Sequence, residues 1–180
     1  TVDVEIKGVT IKSGKAQAGN LDGDGGGLYN TNGRVTLNLV RVYTNTAFSR
    51  GGGIYNAGEL TVTNNSLIEA NAAETAGGGG IFNLNGRVRV LGSSLTGNHA
   101  DDHNNGQGGG LGSTGDVSNV VTIQSSLING NSAGYGGGGM WSWGGVVTVT
   151  SVQISDNQGG DYGGGLYATF GARLSMNSTS

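Results

Sequence analysis

Apolar residues return along this chain in a fixed phrase. A single aliphatic residue follows each block of glycines, at Leu28, Ile54, Ile81, Leu111, Met140 and Leu166, with 26 to 30 residues between successive copies. An alternating pair comes next: Val35/Leu37, Leu60/Val62, Val88/Val90, Val121/Ile123, Val147/Val149 and Leu174/Met176. A third position follows at Val42, Ile68, Leu95, Ile128 and Ile154, and three residues after each stands Asn45, Asn71, Asn98, Asn131 or Asn157. Runs such as Leu60-Thr61-Val62-Thr63 alternate with period two, which predicts short strands buried on one face. No stretch carries an extended helical period; Ile68 to Thr75 is the one short candidate.

Repetition of a three-strand unit predicts a solenoid of stacked coils. The expected fold is all-β: a right-handed, single-stranded parallel β-helix of about six to seven coils, three short strands in each. The hand is expected from the preference of parallel crossovers. The whole chain, 1–180, reads as one domain, with a partial coil at 1–14. Its repeats fall at about 25–45, 51–71, 78–98, 108–131, 137–157 and 163–180. Gly and Asn suit the corners because they tolerate left-handed backbone, and stacked Asn side chains can hydrogen-bond along the axis. Gly numbers 39 and Pro 0, which fits a ladder that needs every backbone donor.

Charge and cysteine content exclude several partners. Charged residues are 12% with net charge -3, so no basic stripe exists to displace phosphate counterions, and nucleic acid is not expected. Cys is 0, which excludes disulfides and thiolate metal sites. No apolar run approaches the ~18 residues of a membrane span.

Three constellations are candidates for chemistry. Tyr29, Tyr55, Phe82, Gly112, Trp141 and Tyr167 follow the core anchors, so in a strand they face outward. The five aromatics are a candidate platform for sugar rings, or a stack that shields the sheet. The spacers carry Asp22, Asp24, Glu74, His99, Asp101, Asp102, His103 and Asp161 on one expected edge. Asp22, Asp24, Glu74 and Asp101 are the candidate ligands for a hard cation such as Ca2+, against the simpler reading that Asp favours turns. The same edge is where a polysaccharide lyase or glycosidase would need its carboxylates or base. Basic residues are scattered, so a non-catalytic protein is expected. An outward row of Thr36, Thr61, Arg89, Thr122, Thr148 and Ser175 resembles the ice-binding faces of some antifreeze solenoids, with Arg89 breaking it.

The phrases GGGLYN at Gly25, GGGIYN at Gly51 and GGGIFN at Gly78, with the spacers Asn71-Ala72-Ala73 and Asn131-Ser132-Ala133, resemble a known group. They are similar to the GGA-[ILV] repeats of the polymorphic outer-membrane proteins of chlamydiae, and to large bacterial β-helix surface proteins. The resemblance covers roughly Gly25 to Leu166, with a third glycine where that family has Ala. It implies a surface-displayed passenger or adhesin, outside the cell or on its surface.

Both ends read as open strand pattern without a capping helix. Val2, Val4 and Ile6 at one end and Leu174 and Met176 at the other are candidate assembly surfaces. The expected function is therefore an extracellular structural or adhesive β-helix, either stacking head to tail on itself into a filament or forming part of a longer rod. Surface glycans are the expected second class of partner.

Overall fold

The computed structural model describes residues 2–19, 23–101 and 106–178. It is a parallel β-solenoid with no helix among the described residues. Each coil visits four ladders in turn, which we name sheets A to D.

Sheet A has seven strands: Asp3–Lys7, Arg34–Asn38, Glu59–Thr63, Arg87–Leu91, Val120–Gln124, Val146–Thr150 and Arg173–Asn177. Sheet B has six: Thr10–Lys12, Arg41–Tyr43, Leu67–Glu69, Ser94–Thr96, Leu127–Asn129 and Gln153–Ser155. Sheet D also has six: Leu28–Asn30, Ile54–Asn56, Ile81–Leu84, Leu111–Thr114, Met140–Trp143 and Leu166–Thr169. These are the three strands per coil that the pattern predicts. Sheet C adds a fourth ladder of two-residue strands: Lys15–Ala16, Thr46–Ala47, Ala72–Ala73, His99–Ala100, Ser132–Ala133 and Gln158–Gly159. Two residues are too few to show alternation. Seven strands at about 4.8 Å make a rod roughly 30 Å long.

Register stacks like on like. Leu60, Val88 and Val121 pair in sheet A, Val42, Ile68 and Leu95 in sheet B, and Ile54, Ile81 and Leu111 in sheet D. All these side chains are buried in one continuous core. Where sheet C closes the section, the inward residue is Ala47, Ala73, Ala100 or Ala133, and each is buried.

Polar ladders run through the corners. Between sheets B and C, each buried Asn donates both its backbone N–H and its Nδ2 to the Oδ1 of the next coil's Asn, from Asn45 through Asn71, Asn98 and Asn131 to Asn157, at 2.9–3.1 Å. The second Nδ2 proton goes back to a sheet B carbonyl, as from Asn71 to Val42. Every polar atom of the carboxamide is thereby satisfied, as burial demands. A second relay links Asn30, Asn56, Asn83 and Asn119 at the corner between sheets D and A. Ser66 and Ser126 hydroxyls accept the Val40 and Ser93 backbone N–H groups at the corner between A and B.

The fourth corner holds the glycine blocks, and each glycine in a block answers a different demand. In the third block, Gly78 has φ +70°, a conformation that side chains resist. A Cβ on Gly79 would overlap the His99 carbonyl. A Cβ on Gly80 would meet the Gly110 carbonyl at 2.5 Å and the Asn98 carboxamide at 3.0 Å.

Candidate functional site

The aromatic row lies on the outer face of sheet D, as alternation predicts, but it is not an open strip. Tyr29 is 57% exposed, whereas Tyr55, Phe82 and Trp141 are 5%, 5% and 4% exposed and Tyr167 is half-buried. The rings stack along the axis, Tyr29 on Tyr55 at 4.9 Å and Tyr55 on Phe82 at 6.1 Å. The glycine-rich loops fold back over them: Gly78 lies so close to Phe82 that an added Cβ would sit 2.6 Å from the Phe82 Cβ. A loop with no side chains can lie flat on a sheet, which a sequence period does not reveal. The expected platform is instead a small second core outside the main one.

Arg50 closes that core. Its guanidinium stands 5.3 Å and 5.5 Å from the Tyr55 and Phe82 ring centres, within cation–π range. Asp24 holds it from the neighbouring loop, accepting from Nη2 at 2.7 Å and from the Arg50 backbone N–H at 2.9 Å. The column breaks at Gly112, where the Phe82 ring comes within 3.1 Å of the Cβ position. Trp141 beyond the break buries its Nε1–H without a partner among the described residues.

Among the described residues the acidic candidates do not converge. Asp22 lies outside the described residues, as do Asp102 and His103. Asp24 is committed to Arg50. Glu74 and Asp101 do take equivalent places on adjacent coils, their N–H groups donating to Ala47 and Ala73. Glu74 is exposed, however, and Asp101 is buried with φ 24°. Among the described residues no three His, Asp or Glu groups cluster to hold a metal, so Asp24, Glu74 and Asp101 form no shared site with one another there.

The candidate assembly residues sit on the end strands of sheet A and just before the first. Val2, Val4, Leu174 and Met176 are exposed and Ile6 is half-buried. Among the described residues the first strand of sheet A pairs with Arg34–Asn38 alone and the last with Val146–Thr150 alone. No helix among the described residues is long and apolar enough to cross a membrane.

One feature on this face escaped the repeat pattern. Trp143 and Phe170 stack at 3.9 Å with 9° between their planes, and they are 42% and 69% exposed. Trp141 contacts Trp143 at 6.2 Å. Nearby in the loops, Tyr162 stacks on Tyr167 at 4.8 Å, and a hydrogen bond to Tyr162 pushes the Tyr135 phenol above its ordinary range. The available signal was local composition, since there are six aromatic residues from Tyr135 to Phe170 inclusive. Comparison with protein-family models, curated proteins and solved structures finds no match to this chain.

Proposed function

We propose that the chain is an extracellular, non-catalytic structural or adhesive β-helix, a rigid segment of a surface-displayed rod. The observation that supports this reading is the axial amide relay from Asn45 to Asn157. It joins five consecutive coils through hydrogen-bonded side chains, the first four of them buried. A satisfied polar network of that kind resists both slippage of register and bending of the axis. The outer faces of the rod then present side chains at the fixed ~4.8 Å interval of the strands, a geometry suited to repeated contacts with a surface. Continuation of the sheet ladders, by further coils or by a second copy, lengthens the rod without altering its section.

Electron microscopy of the purified chain over a concentration series tests the assembly. Rods that lengthen with concentration support head-to-tail association through the edges of sheet A. Particles that stay near 30 Å at every concentration leave the rod reading to further coils of the same chain. Labelling of intact cells with an antibody to the folded chain tests its display; signal only after lysis overturns the extracellular reading.

A further inference from the structure

We propose that Tyr135 and Tyr162 are a site of oxidative cross-linking, at which a carbon–carbon bond between the two rings staples successive coils. Cys is 0, so a covalent link between coils must come from other side chains. The two tyrosines stand on successive loops between sheets C and D, and the Tyr162 N–H donates to the Tyr135 carbonyl at 3.1 Å. Their ring centres lie 4.9 Å apart. Tyr135 is half-buried and Tyr162 is 45% exposed, so a small oxidant reaches the pair. A hydrogen bond joins their hydroxyl groups, the same contact that pushes the Tyr135 phenol up. Each ortho carbon is bonded to a hydroxyl-bearing carbon, so hydroxyls in contact bring ortho carbons of the two rings to neighbouring positions.

The surroundings favour loss of an electron here. Asp161 adjoins the pair, its N–H donating to the Tyr135 carbonyl at 2.8 Å, and its charge is felt at the Tyr135 phenol. A carboxylate stabilises the positive charge that develops as an electron leaves. Tyr167 stacks on Tyr162 at 4.8 Å with 8° between planes, which spreads that charge over a second ring. Tyr29 and Tyr55 also lie 4.9 Å apart, but the Arg50 guanidinium stands 5.3 Å from the Tyr55 ring centre, where its charge opposes oxidation. In the coupling each phenol gives up one electron and its hydroxyl proton, and the two ortho carbons of the resulting radicals join. Each ortho carbon then releases its proton and each oxygen takes one back. The net loss is two electrons and two protons, which one hydrogen peroxide accepts, through a one-electron-oxidising peroxidase, to become two waters.

The test treats the whole chain, kept dilute, with hydrogen peroxide and a haem peroxidase. Cleavage before aspartate separates the partners, because Tyr135 leaves on the peptide that starts at Asp116 and Tyr162 on the one that starts at Asp161. The expected product is monomeric, shows dityrosine fluorescence, and joins these two peptides at a mass two hydrogens below their sum. The joined peptides should be lost in Tyr135→Phe and in Tyr162→Phe, which keep the ring and remove the hydroxyl, and should persist in Tyr167→Phe. The linked chain should melt at a higher temperature than the untreated one, because the bond closes a loop in the unfolded chain. No joined peptides, under conditions that couple free tyrosine, overturns the proposal. So does dityrosine fluorescence undiminished in Tyr135→Phe, which assigns the bond to another pair. Links confined to dimers of the chain overturn it as well, and a linked chain that melts no higher denies the bond its stapling role.

Discussion

Asn83 donates its side-chain Nδ2 to the Oδ1 of Asn119 at 2.6 Å, although the residue beside it in the sheet D ladder is Ser113. Asn119 reaches in from the following loop and donates in turn to the Ser113 hydroxyl at 2.9 Å. A displaced asparagine thus restores a relay that the ladder position had lost. Asn119→Ala should cost about 1–3 kcal/mol by leaving Asn83 short of an acceptor. Asn119→Asp should cost more at neutral pH, since it buries an unpaired carboxylate, and should recover as acid protonates it. Urea denaturation at two pH values checks both.

The glycine positions predict unequal penalties. Gly79→Ala puts a Cβ onto the His99 backbone carbonyl, which cannot withdraw without breaking sheet C, so the variant should lose about 4 kcal/mol or fail to fold. Gly97 has φ +57° but open space around it. Gly97→Ala should cost only about 1–2 kcal/mol, and Gly97→Asn less still. Chemical denaturation of the three variants orders them.

Breaking the Asp24–Arg50 pair should uncover the aromatic column. The Asp24 side chain is only 5% exposed and Arg50 24%, so Asp24→Ala should cost about 3 kcal/mol. Its loss should be local. Hydrogen exchange should accelerate at Gly51, Gly52 and Gly53, whose N–H groups bond the next coil's glycine block. Exchange in sheet B should stay unchanged.

Asp116 gives an acid-dependent prediction. Its carboxylate accepts from the Ser118 hydroxyl at 2.6 Å and the Ser118 N–H at 2.8 Å, which hold it below its ordinary value. A carboxyl lowered in the folded state contributes order above its unfolded value and loses it as pH falls through the folded one. Carbon-detected NMR should therefore show Asp116 titrating below pH 3.8, with the value rising in Ser118→Ala.

Sheets A, B and D could be read from the sequence because each repeats an aliphatic residue at a fixed place in every coil, and in sheet A a pair of them alternates with a polar residue, as at Val88-Arg89-Val90. The relay from Asn45 to Asn157 was equally legible, each asparagine standing three residues after an anchor. Sheet C was not, since Ala72–Ala73 offers no alternation. The second relay was hidden where Asn119 lies 36 residues from Asn83 while its other members lie 26 and 27 apart. The direction of the aromatic row followed from the strand period, but its burial depends on loops that cross back over the sheet. Trp143 and Phe170 belong to no repeat, so periodicity passed over them.

Each amide in the long relay donates toward the higher-numbered coil. Its members stand 26, 27, 33 and 26 residues apart, yet their side chains bond at 2.9–3.0 Å. Loop length is therefore invisible to the interior. A gene for such a chain can grow by duplicating one coil at any point, because every coil brings its own donor and acceptor and fits between any two neighbours. Mutation can freely remodel what bulges from the corners, while the loss of one asparagine strands a partner on each side.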